Sequence, residues 1–181
     1  MGIMTAKSNK AVKISQIRSK IMDYHVLTLL HAYNKLDKGI NMSSRIVDGL
    51  IEGSYSNHSD SVFSQTDKII TLLKAKSQLI ILKDIIEKML VELGGEERAI
   101  LVLKYIKGLT SKEITEKLYL SLRTYFRRIK SALLKFEKVL KKNGYDSVWF
   151  LDYADNPFLK ESITKGKKGT EKLFSFELKA S

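Results

Sequence analysis

An all-α fold is what this sequence predicts, and three observations predict it. A single proline stands in 181 residues, so the many turns that a sandwich or barrel needs are missing. Lys, Leu and Glu, all strong helix formers, are abundant. Apolar residues also recur at three- and four-residue steps through most of the chain. With 44% apolar and 29% charged residues the balance is that of a folded chain rather than a disordered one. The length allows one well-buried core or two small helical units, of which two are expected, and excludes a large multidomain enzyme.

Residues 1–20 make a polar arm whose only charges are Lys7, Lys10, Lys13, Arg18 and Lys20. An N-terminal helical domain is expected over residues 21–93. It opens with a helix over 21–36, in which Ile21, Tyr24, Leu27, Leu30 and Tyr33 fall near helical spacing and which Gly39 ends. A short helix over 42–52 gathers Ile46, Val47, Leu50 and Ile51 and closes at Gly53. The serine-rich stretch from Ser54 to Thr66 has loop composition. From Asp67 to Leu93 runs the longest helical pattern, with Leu72, Ala75, Leu79, Leu82, Ile86, Met89 and Leu93 in strict four-three alternation. Two readings stand for it. The alternation suits a seam between two chains, a homodimer through residues 67–93. The further apolar residues Ile69, Ile70, Leu73, Ile80, Ile81, Ile85, Leu90 and Val91 widen the stripe toward that of a buried core helix. Gly94 and Gly95 then break the helix and mark a domain hinge.

The second domain is expected over residues 96–142. A helix from Glu96 to Lys107, with Ile100, Leu101, Leu103 and Ile106 apolar, stops at Gly108. Thr110 followed by Glu113 forms a capping box that opens a two-turn helix, SKEITEKL, burying Ile114 and Leu118. A helix this short is not stable alone and must pack on its neighbours. Tyr119 and Leu120 alone separate it from Ser121, a favoured N-cap, and from the long helix that follows. On that helix Tyr125, Ile129, Ala132, Leu133, Phe136 and Leu140 face the core, while Arg123, Arg127 and Lys130 face away, flanked by Thr124 and Arg128. Charge gathers here too. The chain carries +12, and residues 107–142 hold eleven bases against Glu113, Glu116 and Glu137, so +8 of the excess sits in this one segment. Short helix, tight turn and basic amphipathic helix together are the sequence pattern of a helix-turn-helix able to enter a DNA major groove about 12 Å wide.

At these residues the chain resembles region 4 of the sigma-70 family and the related Gram-positive phage regulators of the ArpU type. The residues that carry the resemblance are Arg98, Gly108, Thr110, Glu113, Ile114, Leu118, Leu120, Ser121, Thr124, Arg127, Ala132 and Leu133, and it covers about residues 96–140. It departs from the family pattern at Thr115, where a small residue is usual, and at Tyr119, which replaces the customary turn glycine. If position 119 requires positive φ, a tyrosine is uncomfortable there, and the turn is the place to look for remodelling. The resemblance implies a sequence-specific transcription regulator that reads promoter DNA with the helix after Ser121 and engages RNA polymerase. It implies that Thr124, Arg127 and Arg123 face bases, while Arg128, Lys130 and Lys135 grip phosphates; Lys112, at the start of the short helix, joins the DNA-binding set.

Other chemistries find little support in the sequence. Cysteine is absent, which fits a cytoplasmic setting, and His25, His31 and His58 show no metal-ligand spacing, so neither metal nor cofactor is expected. No phosphate-binding glycine loop or nucleophile elbow is present, and no enzyme is expected. No apolar run approaches the roughly 18 residues of a membrane span. The extension over residues 143–181 concentrates Tyr145, Trp149, Phe150, Tyr153 and Phe158, expected to cap the helix-turn-helix core, with a partner contact as the other reading. Residues 160–171 have connector composition, and the ending LFSFELKAS reads as a short strand or a loose end. A competing function is an oligomerising interaction protein, without catalysis, that binds nucleic acid nonspecifically. Sequence preference separates the two.

Overall fold

The computed structural model describes residues 23–54 and 62–179. Among them there is no strand, and the fold is all-α. The order is α1 (Tyr24–Ser54), α2 (Val62–Leu93), α3 (Gly95–Leu101), a π-helical stretch (Val102–Ile106), α4 (Ser111–Lys117), α5 (Leu122–Lys142), α6 (Ser147–Phe150), a 3-10 turn (Leu151–Tyr153) and α7 (Lys160–Lys179). The basic arm and most of the serine-rich stretch lie outside the described residues.

Helix α1 packs along α2 on one side and α7 on the other, while α5 sits against α2 and α3. One apolar core runs through all of them, from Val26, Leu29 and Leu30 of α1 through Leu79, Leu82 and Ile86 of α2 to Ile114, Tyr125, Phe136 and Leu140 of the helix-turn-helix. The four-three alternation of α2 is used inside this core: Ala75, Leu79, Leu82, Ile86 and Met89 are buried within the chain. The core-helix reading therefore describes α2 through its seam, while of the residues that widen the stripe Ile85 and Leu90 are buried and Ile70, Leu73, Ile80, Ile81 and Val91 are exposed. The structure gives the homodimer no support, because the seam it would use is already covered.

Two local expectations are corrected. Gly39 does not end the first helix: α1 continues through it to Ser54 as one helix of 31 residues, absorbing the short helix expected at 42–52. The reason is a close approach. A Cβ at Gly39 would lie 2.8 Å from Leu79 Cδ1, so the glycine lets α2 come near, and that packing outweighs the roughly 1 kcal/mol a mid-helix glycine costs. The stretch from Lys160 is not a connector but helix α7, and its backbone remains helical through the expected strand to Lys179. Here Gly166 faces α1, where a Cβ would meet Tyr24 O at 2.8 Å and Thr28 N at 2.9 Å. Polar, glycine-bearing sequence is held helical by tertiary contact. The aromatic segment packs on the shared core from the side of α1. Phe150 is fully buried with its ring 6.1 Å from Tyr24 and 5.9 Å from His25 of α1, and Trp149 packs against Tyr145 and Tyr153. Asn156 completes this seat by donating to Ala75 O at 3.0 Å.

Candidate nucleic-acid interface

The break before the motif is made by Gly94 and Gly95, both at positive φ (66° and 50°), which no β-carbon favours. Helix α3 then widens into the π-helical turn of Val102–Ile106, where Lys107 N–H donates to Val102 O at 2.8 Å. This turn seats Tyr105 against α1: its ring lies edge-on to His31 at 5.1 Å, and Asn34 Nδ2 donates to Tyr105 O at 2.8 Å. Gly108, at φ 68°, stops the helix as its position predicts.

The capping box is complete. Thr110 N–H donates to Glu113 Oε2 at 2.7 Å, and Glu113 N–H donates to Thr110 Oγ1 at 3.3 Å. The Thr110 hydroxyl, which donates to Glu113 Oε2 at 2.7 Å, and then the Thr110 N–H hold the Glu113 carboxyl below its usual range. Ile114 anchors α4 in the core with no exposure. The turn that follows keeps the glycine geometry without the glycine. Tyr119 takes φ 52° and is 95% exposed. Leu120 N–H reaches back to Thr115 O at 2.9 Å and Tyr119 N–H to Glu116 O at 3.4 Å, the bond pair of a Schellman stop. The turn is therefore strained rather than remodelled. Ser121 caps α5 by accepting from Thr124 N–H at 3.2 Å.

On α5 the core face is Tyr125, Ala132, Leu133, Phe136 and Leu140, all buried. Arg123, Arg127 and Lys130 are exposed together on the far side. The remaining bases are sorted by what they touch. Arg128 pairs with Glu96 at 2.6 Å, and Lys135 pairs with Glu97, holding that carboxyl low; both acids sit at the start of α3. Lys141 bridges Glu137 (2.8 Å) and Asp23 (3.0 Å), and Lys142 meets Glu92 at 2.9 Å. Arg123 and Arg127 make no ion pair among the described residues. Thr124 is half-buried and its hydroxyl lies 2.9 Å from Ser121 Oγ, so it shares in the cap. Lys112 is exposed at the start of α4, on the element preceding the turn.

Sequence reasoning brought Arg123, Arg127 and Lys130 together and missed the pinning of Arg128 and Lys135. No such signal stood in the sequence: Glu113 and Glu116 are the nearer acids upstream, and only the three-dimensional crossing of α3 over α5 shows that Glu96 and Glu97 reach these bases. The nearly buried Glu137, which accepts from Asp23 N–H at 3.3 Å, was likewise unreadable as a tie between α5 and the start of α1. Elsewhere, no group of three His, Asp or Glu side chains is placed to hold a metal ion, and no helix is long and apolar enough to cross a membrane, both among the described residues.

Residues 83–136 match the family model for sigma-70, region 4. The match covers less than a third of the chain and spans the last turns of α2, then α3, the π-helical turn, α4 and most of α5. It begins earlier than the resemblance read from the motifs, and it takes in the end of α2 on which α5 packs. The chain thus carries a sigma region 4-like helix-turn-helix, a unit of DNA-binding transcription regulation. No curated protein and no solved structure matches the chain.

Proposed function

We propose that the protein is a cytoplasmic, sequence-specific transcription regulator that inserts α5 into the major groove of promoter DNA and engages RNA polymerase, without catalysing a reaction. The observation that carries this reading is the exposed Arg123–Arg127 ridge. Two guanidinium groups without an acidic partner among the described residues stand on the first two turns of a helix that is capped by Ser121 and anchored by Tyr125. Arginine forks match guanine O6 and N7 in the major groove. Lys130 and Lys112, flanking that ridge in sequence, suit phosphate contacts that set register. The polymerase contact and the promoter target rest on the region 4 likeness of residues 83–136.

Selection of duplexes from a random library, followed by binding titrations, tests it. The reading expects a specificity ratio of about 10³ or more over random DNA. Arg127→Ala is expected to cost about 1–3 kcal/mol of specific binding while leaving nonspecific binding nearly intact. A ratio near one would favour the nonspecific interaction protein instead. Transcription with core polymerase, with and without a housekeeping sigma factor, separates a self-sufficient factor from an accessory activator; no effect on transcription in either setting would remove the polymerase contact.

A further inference from the structure

We infer that Phe126, with Leu122 one turn before it, reads thymine by packing against its C5-methyl group beside the bases that Arg123 and Arg127 address. This rests on the reading of α5 as a groove-inserted helix and names the bases that such a helix selects.

Phe126 is 56% exposed and Leu122 54% exposed, on the same two turns whose other apolar residue, Tyr125, is 1% exposed. Two large apolar side chains uncovered at the start of a basic helix are costly in water unless a partner covers them. Spaced four apart, they form one ridge, next to the ridge of Arg123 and Arg127. A partner that fits both ridges offers negative charge and apolar groups side by side. DNA does: its phosphates and guanine edges suit the arginines, and thymine alone presents an apolar group in the major groove. Against cytosine the phenyl ring would strip water from an N4 amino donor and return no acceptor, so the same contact rejects that base. The ring is also held ready. It meets the buried Tyr125 ring at 5.1 Å and 63°, an edge-to-face contact that leaves little freedom to lose on binding. One helical turn rises about 5.4 Å and one base pair about 3.4 Å, so Leu122 and Phe126 fall within about two base pairs of each other. The expected target therefore places thymines directly beside guanines.

The experiment combines a protein change with a DNA change. On the duplex selected by the full-length chain, each thymine is replaced in turn by deoxyuridine, which removes only the methyl group, and affinity is measured by fluorescence anisotropy for the native protein and for Phe126→Ala. At one or two thymines the replacement is expected to weaken the native protein about fourfold, the worth of one buried methyl, and to change Phe126→Ala by less than about 1.5-fold. Phe126→Leu, which keeps an apolar surface, is expected to retain most of the sensitivity. A circular dichroism melt checks that the variants fold. If a duplex is selected and no thymine-to-deoxyuridine exchange matters, or if Phe126→Ala stays as sensitive as the native protein, the thymine contact is wrong while sequence reading by α5 stands. If no duplex is enriched at all, sequence reading fails and the thymine contact fails with it.

Discussion

Tyr119→Gly is expected to stabilise the fold, and the size of the gain follows from the turn. Tyr119 holds φ at 52° as the residue after the α4 cap. An L side chain in this left-handed region costs about 1–2 kcal/mol, which glycine avoids. Glycine returns about 0.5–1 kcal/mol through the greater freedom of the unfolded chain. With the ring 95% exposed, almost no packing is lost on removing it. The net gain is therefore about 0.5–1 kcal/mol, or a rise in the melting midpoint of roughly 1–4 °C for a chain of this size. Urea titration with an unchanged m-value measures it. Tyr119→Ala is the decisive companion, because alanine suffers the same backbone cost as tyrosine and is expected to give no gain. If alanine stabilises as much as glycine, the benefit comes from deleting an exposed ring and the backbone argument is refuted.

Burial lowers the pKa of His25, with Asp23, Glu137 and the Tyr145 backbone pulling it up and Lys141 pushing it down. A folded-state pKa below the unfolded value means the unfolded chain takes up the proton first. Stability is thus complete above about pH 6.5 and falls as pH drops below it, by at most about 1.4 kcal/mol per pH unit for this group. In denaturant titrations from pH 7.5 to 5, His25→Leu is expected to flatten that decline relative to the native chain, and equal slopes would exclude His25 as its source. Gly166→Ala is expected to destabilise the protein by about 1–3 kcal/mol, since its methyl would press on the α1 backbone at Tyr24 and Thr28. Gly49→Ala, which meets nothing within 4 Å, is the control and is expected to be neutral or stabilising; equal effects would mean that α7 is not held by close approach.

How much the sequence revealed depends on whether the deciding contact is local. The capping box of Thr110 and Glu113, the Ser121 cap and the core face of α5 were legible because each is set by residues within one or two turns. Gly39 and the 160–171 stretch that holds Gly166 were misread because a glycine that ends a helix or loosens a linker and one that admits a neighbouring helix look the same until that neighbour is known. The π-helical turn gave no sequence signal, since its extra residue is accommodated by the seat that Tyr105 finds on α1. At the interface, exposure of Arg123 and Arg127 followed from periodicity, but the partners of Arg128 and Lys135 did not, because both acids arrive from another helix.

That sorting of cations leads to an expectation about salt. Each phosphate neutralised adds about 0.9 to the slope of log affinity against log salt. Lys135 would have to leave Glu97 to reach a phosphate, and the Glu97 carboxyl, held ionised by that pair, would then stand unpaired beside a polyanion. Repulsion opposes the exchange, so the pair is expected to survive binding and to fix the angle at which α5 leaves α3. Lys135→Ala should accordingly leave the salt slope unchanged, and Lys130→Ala should lower it by about one. A drop of about one for Lys135→Ala would show that the pair opens on DNA and that the phosphate role implied by the family resemblance applies to Lys135 after all.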